Sequence, residues 1–247
     1  MIAIIAPARL ASTRFPEKLL HVIKGKPLIL WVAERLRVQV PEIPLYFAVD
    51  SDRLAGVLDN EGFHTVMTRE DHASGTDRLA EANEKIGADV IINVQADEPM
   101  VSANQVRKLT EMIESGASMA TLATGFEKRD DFLDPNQVKV VIDKDGKALY
   151  FSRSPIPHNR DGFDSFGDAW VAQNSIYRHL GIYAYRAEFL NTFCSLPPSR
   201  LESIEKLEQL RALENGYSIQ VGITNESSIG IDTPADAERF EALLSQG

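Results

Sequence analysis

A single cysteine, Cys194, occurs in 247 residues. One thiol excludes an internal disulfide and any cysteine-based metal cluster. Next to Phe193 it reads as a small buried hydrophobe. Fifteen glycines and twelve prolines are too few for a collagen-like or low-complexity chain. No apolar run approaches the roughly 18–20 residues of a membrane span. The opening MIAIIAPARLASTR has its arginines after a short apolar stretch, the reverse of a signal peptide, so a cytoplasmic protein with no membrane partner is expected. Basic charge is scarce as well. Twenty-six Lys and Arg against 36 Asp and Glu leave a net charge of −10, which argues against nucleic acid as a partner.

What is present is ordinary for a folded chain: 44% hydrophobic and 25% charged residues. The length suffices to bury roughly 70% of the unfolded surface. The charge, however, is uneven. Arg9, Arg14, Lys18, Lys24 and Lys26 stand against Glu17 alone in residues 1–30. A positive segment in an acidic protein suggests a pocket for a small polyanion.

Hydrophobic patterning predicts alternating strands and helices. Ile2–Ala6, Leu45–Val49, Val66–Met67 and Val90–Val94 read as strands, with helices predicted over Pro27–Val38, Asp52–Asn60 and Asp77–Ile86 between them. The run VIINV lacks alternation, as expected of a strand covered on both faces. Ser102 with Gln105 and Ser199 with Glu202 are capping-box patterns. The second is expected to open one helix from Leu201 to about Asn215. The order changes after Gly116, where Met119–Thr124, Val138–Ile142, Ala148–Phe151 and Leu180–Tyr185 read as strands with few helices between them. Arg160–Ser175 reads as a polar loop. Ile219–Ile223 is a late strand, and Thr233-Pro234 with Asp236 opens a last helix to about Leu244. The reading is one α/β domain over residues 1–247, a mostly parallel sheet with a β-rich subdomain inserted at about 117–200.

Five segments carry chemistry. Ala6-Pro-Ala-Arg-Leu-Ala-Ser-Thr-Arg-Phe-Pro-Glu-Lys18 directly follows the first strand, where open α/β sheets bind ligands. Ala8 and Ala11 are small enough for close backbone approach. Arg9, Arg14 and Lys18, spaced five and four apart, can surround a triphosphate. Neither a Walker A loop nor G-x-G-x-x-G is present. Gln95-Ala-Asp-Glu-Pro99 follows the clearest strand, so Asp97 is placed to hold Mg²⁺, with Glu98 structural. In Gly230-Ile-Asp-Thr-Pro-Ala-Asp236, capping explains Thr233, Pro234 and Asp236. It leaves Asp232 as a second candidate metal ligand. His72-Ala-Ser-Gly-Thr-Asp-Arg78 suits base or ribose contacts at a helix start. His179, within Arg178–Tyr183, is a lone histidine on an apolar strand, a position that usually marks a satisfied core residue.

Together and in this order, PARLASTRFPEKLL, TREDHASGTDRLAE, NVQADEPM, MATLA, NQVKVVID, ALYFSRSPIP, RHLGIYAYR, LEQLR and GIDTPADAER resemble the 3-deoxy-manno-octulosonate (Kdo) cytidylyltransferases, or CMP-Kdo synthetases. The resemblance spans residues 4 to about 240. It implies a Rossmann-like fold of the nucleotide-diphospho-sugar transferase type, as a homodimer. It implies transfer of CMP from CTP to the anomeric hydroxyl of an eight-carbon keto sugar acid, Kdo or a close analogue, with Mg²⁺ and release of pyrophosphate, for lipopolysaccharide synthesis. Arg9, Ser12, Arg14 and Lys18 would bind the CTP phosphates, and Ser74, Gly75 and Gln95 the nucleoside. Asp97 and Asp232 would hold Mg²⁺. Arg78, His179, Tyr183, Glu208 and Gln209 would contact the sugar acid. Arg14, Lys18, Asp97 and Asp232 would be the catalytic set.

Two departures stand out. The family's P-G-K-P-L is here Pro16-Glu17-Lys18-Leu19-Leu20, and its Q-G-D-E-P is Gln95-Ala96-Asp97-Glu98-Pro99. Glu17 restricts a backbone that glycine leaves free. It is expected to face solvent, because turned inward it would repel phosphate. A CMP-sialic acid-type or other sugar nucleotidyltransferase is the alternative enzyme reading. A non-catalytic nucleotide-binding protein is the alternative of a different class.

Overall fold

The computed structural model describes residues 1–162, 166–226 and 230–245. Two compact units divide the chain: Met1–Arg107 with Ser228–Gly247, and Lys108–Ser227.

The first unit begins with β1 (Ile2–Ala8), a hairpin of β2 (Val22–Ile23) and β3 (Lys26–Pro27), and α1 (Leu28–Gln39). It continues through β4 (Leu45–Val49), α2 (Asp52–Asp59), β5 (His64–Met67), α3 (Gly75–Ile86) and β6 (Val90–Asn93), and α4 (Ala103–Glu114) follows. β1 pairs with both β4 and β6, β5 pairs with β4, and every pairing is parallel. Every residue of β6 is buried, as an unalternating β-branched run requires. Ser51 and Ser74 cap α2 and α3 through their hydroxyls. Gly87, at φ 73°, closes α3 in the left-handed region that glycine reaches without strain. The box expected at α4 forms. Gln105 Oε1 accepts from the Ser102 amide at 3.1 Å, and Ser102 Oγ accepts from the Gln105 amide at 3.2 Å.

Leu28, Ile29, Phe47, Leu54 and Leu58 make one apolar cluster, with Phe240 contributed by the last helix, α10 (Pro234–Leu244). A capping box of Thr233 and Asp236 opens α10. Ile231, fully buried in the same cluster, donates its amide to the Asp97 carbonyl at 3.0 Å. The C-terminal segment is thereby fastened to the turn after β6. Parallel pairing sends the carboxyl ends of β1, β4 and β6 the same way. Residues 9–17, Asp50 and the 95–97 turn therefore emerge along one edge.

The second unit holds β7 (Met119–Gly125), α5 (Arg129–Leu133), β8 (Lys139–Ile142), β9 (Ala148–Ser152), α6 (Asp168–Gln173), β10 (Tyr177–Arg186), α7 (Ala187–Ser195), α8 (Arg200–Glu205), α9 (Leu210–Glu214) and β11 (Gln220–Ile223). β7 pairs with β11 in parallel and with β10 antiparallel, and β8 pairs antiparallel with β10 and β9. The register of β10 on β7 shifts between Leu180 and Tyr183, a bulge.

Three expectations need correction here. The helix expected over 201–215 is two helices, because Lys206 adopts the left-handed region at φ 55°. The bend brings the Arg211 guanidinium onto Glu202, with Nη2 at 2.6 Å and Nε at 2.9 Å. On one straight helix those two residues would stand about 13.5 Å apart along the axis. Arg160–Ser175 is not all loop. Residues 163–165 lie outside the described set, but α6 follows, with Val171 and Phe166 buried against Phe126, Phe132 and Ile176. α7 was not anticipated. It is held by buried Phe189, Leu190 and Phe193, and Cys194 is only half-buried.

Candidate active site

Beyond the carboxyl ends of β1 and β6, the first unit opens a cleft of about 340 Å³. Arg9, Ser12, Arg14 and Lys18 line it from the loop after β1, Ser74, Gly75 and Arg78 from the start of α3, Gln95 and Asp97 from the turn after β6, and Asp232 from the entry to α10. Of the nucleotide residues expected from sequence, only Ala8 is not at its wall. Ala8 is fully buried at the end of β1. Pro7, Thr13, His72 and Ala73 line the cleft too.

The centre of the cleft is ionic. Lys18 Nζ donates to Asp97 Oδ2 and, at 2.8 Å, to Asp232 Oδ1. Arg14 Nη2 lies 2.9 Å from Asp232 Oδ2. Burial alone would lower the pKa of Lys18, but the two carboxylates outweigh it and hold the ammonium above its ordinary value. Burial would likewise raise Asp232, and Lys18 and Arg14 hold it below the usual carboxylate range. Two acids far apart in sequence thus converge on one cation, so the donor set suits a cation between them. Among the described residues no group of three or more His, Cys, Asp or Glu side chains is arranged to hold a metal ion. A divalent cation at Asp97 and Asp232 would complete its shell with phosphate oxygens and water, the habit of Mg²⁺.

The loop carrying these cations is pinned by Arg78 and by Asp50, an acid not singled out from the sequence. Asp50, just after β4, accepts from the Leu10 amide at 2.8 Å through Oδ1 and from Arg78 Nη2 at 3.0 Å through Oδ2. Arg78 Nη1 also donates to Thr68 Oγ1 at 2.6 Å. Only 3% exposed, Arg78 spends its fork inside the first unit, joining the loop after β1 to the start of α3. The one sequence signal for Asp50 is its place at a strand end, the same position that singled out Asp97. Glu17 faces solvent, as its charge required, and its carboxylate is gripped by both terminal nitrogens of Arg53. Its φ of 51° is left-handed, the conformation a glycine would take for nothing. Ala96 is 2% exposed and packs into the apolar cluster of the first unit. His72 Nε2 bonds to the Glu81 carboxylate.

His179, Tyr183, Glu208 and Gln209 belong to the second unit. The rings of His179 and Tyr183 lie on the same side of β10, 5.4 Å apart. Thr121 has one hydroxyl hydrogen, which faces the Ile182 and Leu180 carbonyls at 2.8 and 3.1 Å. Its oxygen therefore accepts from His179 Nε2–H at 3.0 Å. This fixes the tautomer and leaves Nδ1 as an acceptor. Burial pushes the imidazole down to about 3, so it is neutral near pH 7. Glu208 and Gln209 sit in the turn between α8 and α9. Gln209 Nε2 is buried with no hydrogen-bond partner among the described residues, a donor that the described fold does not satisfy.

A cytidylyltransferase family profile matches residues 3–221. The chain is 44% identical over 250 residues to the 3-deoxy-manno-octulosonate cytidylyltransferase of Thermodesulfovibrio yellowstonii, covering 98% of this chain and 97% of that one. It is 47% identical over 247 residues to the enzyme of the same name from Syntrophobacter fumaroxidans, covering 98% and 96%. A solved structure of CMP:2-keto-3-deoxy-manno-octonic acid synthetase complexed with CTP superposes with a TM-score of 0.89 at 38% identity, over 99% of this chain and 98% of that one. With the parallel strands of its first unit, its strand-end cleft and these relatives, the chain belongs to the 3-deoxy-manno-octulosonate cytidylyltransferase family.

Proposed function

We propose that this protein transfers the CMP group of CTP to the anomeric 2-hydroxyl of 3-deoxy-manno-octulosonate, with release of pyrophosphate. The observation that carries the reading is the convergence of Arg14, Lys18, Asp97 and Asp232 at the strand-end cleft of a chain that shares this family's sequence over nearly its whole length. The sugar hydroxyl attacks the α-phosphorus, the bond to the β-phosphate oxygen breaks, and the hydroxyl proton is lost to solvent. No covalent enzyme intermediate is needed, so catalysis is positioning and charge neutralisation.

Arg9, Ser12, Arg14 and Lys18 are assigned to the phosphates. Arg14 and Lys18 offset the charge growing on the departing pyrophosphate. Ser74, Gly75 and Gln95 are assigned to the nucleoside. Asp97 and Asp232 would hold Mg²⁺, which when bound supplies Lewis-acid polarisation of the α-phosphate. Asp50 and Arg78 hold the loop after β1 in place. The sugar acid is assigned to His179, Tyr183, Glu208 and Gln209 on the resemblance of their segments. A neutral His179 would act there as a hydrogen-bonding group through Nδ1 and not as a charge partner for the sugar carboxylate. The working form is proposed to be a homodimer in the cytoplasm, as the family resemblance implies. No described helix is long and apolar enough to cross a membrane.

The test is pyrophosphate release with CTP, Mg²⁺ and a panel of eight- and nine-carbon keto acids. Release with the eight-carbon acid is expected. Release with sialic acid only, or with UTP and sugar phosphates only, would move the chain to another branch of sugar nucleotidyltransferases. Nucleotide binding without turnover on any acceptor would make it a binding protein.

A further inference from the structure

The four charged side chains at the centre of the cleft cancel: two cations, Arg14 and Lys18, face two anions, Asp97 and Asp232. A triphosphate needs the positive pair, and a divalent cation needs the negative pair. While the pairs satisfy each other, neither is fully on offer. Lys18 is the pivotal member. Its single ammonium bonds to both carboxylates, and its side chain is only 14% exposed. An ammonium on a four-carbon stem can swing to a new partner by bond rotations alone, whereas the planar fork of Arg14 is directional.

We propose that Lys18 is an internal placeholder: its ammonium occupies the position between Asp97 and Asp232 that a divalent cation takes, so lysine and metal compete for the same two carboxylates. This rests on reading Asp97 and Asp232 as the divalent site, and it adds an order of events to that reading. The free protein binds a divalent cation weakly, because the ammonium must first be displaced. Nucleotide phosphates draw Lys18 onto themselves and uncover the carboxylates, so nucleotide and metal favour each other's binding although neither alone finds a ready site. By linkage the effect is reciprocal. The device also keeps two neighbouring carboxylates compensated when no substrate is present, which avoids like-charge repulsion in a partly buried site.

The experiment is titration of the nucleotide-free protein with Mn²⁺, read by electron paramagnetic resonance. Lys18→Met is expected to bind Mn²⁺ about tenfold or more tightly than the wild type. Equal or weaker binding overturns the proposal. A readout in the unaltered protein stands beside it. Mg²⁺ alone is expected to raise acylation of Lys18 by an amine-reactive ester several-fold, measured by peptide mass spectrometry, and an unchanged yield at saturating Mg²⁺ overturns the proposal. Asp97→Asn and Asp232→Asn, placed in the Lys18→Met protein, separate the two layers. Tight Mn²⁺ binding that persists in them removes the carboxylate site itself and the competition with it. Mn²⁺ binding that depends on both carboxylates but not on Lys18 removes only the competition.

Discussion

Asp97 and Asp232 share the one ammonium of Lys18, and the chemistry proposed for them is correspondingly sensitive. Asp97→Asn or Asp232→Asn is expected to lower kcat about 10²-fold or more, the usual loss when one transition-state electrostatic contact goes. Steady-state rates at saturating Mg²⁺ check this, and near-normal turnover in both variants overturns the assignment. His179 gives a pH signature of its own. Its folded value, about 3, lies below the ordinary 6.5, so between those values the unfolded chain binds a proton that the folded chain refuses. Its contribution to stability is full above about pH 6.5 and is lost as pH falls toward 3. The melting temperature should therefore drop between about pH 7 and pH 5, and drop less in His179→Gln. At Glu17, glycine should leave the melting temperature nearly unchanged, because relief of the left-handed backbone offsets the lost pair with Arg53. Alanine, which loses the pair and keeps the strain, should lower it.

At the level of elements, much was legible and the reasons are specific. VIINV reads as a doubly covered strand because no polar alternation interrupts it, and the carboxylate after it is placed by the strand itself. Capping boxes at Ser102, Ser199 and Thr233 announce helix starts through two local hydrogen bonds each, so they need no tertiary information. The end of the helix begun at Ser199 is a different matter. Apolar spacing runs on toward Asn215, and the bend at Lys206 is accompanied by an ion pair that one straight helix could not make. That pair can be tested. Glu202→Ala removes the nearer of two carboxylates from the Arg211 guanidinium, 7% exposed, leaving Glu208 Oε1 at 3.9 Å, and should cost about 2 kcal/mol in denaturant unfolding. A cost near zero would mean that the bend is fixed by something else. Arg53 was illegible for a similar reason, and Asp50 offered only its place at a strand end. One grips a left-handed glutamate and the other a backbone amide, and neither contact itself leaves a trace in residue order.

For the whole molecule the informative fact is that the first unit is discontinuous. Its sheet and most of its cluster come from residues before Arg107, while Ile231, Asp232 and Phe240 come from the far end of the chain. A chain stopped at residue 226 should keep the strands of the second unit. It should lose activity outright and leave the first unit loosened, with greater protease sensitivity confined to residues 1–107. Limited proteolysis with mass mapping of the fragments reads this directly.

Lys18 and Asp232, which share a hydrogen bond, are separated by 214 positions. On a ribosome adding about 5–20 residues per second, roughly 10–40 s pass between the appearance of one and the appearance of the other. Throughout that interval the nascent chain carries its basic loop without Asp232. On the proposed assignment of Asp232 to the divalent cation, a prematurely terminated copy is expected to be inert, with competence arriving only with the segment that leads into α10.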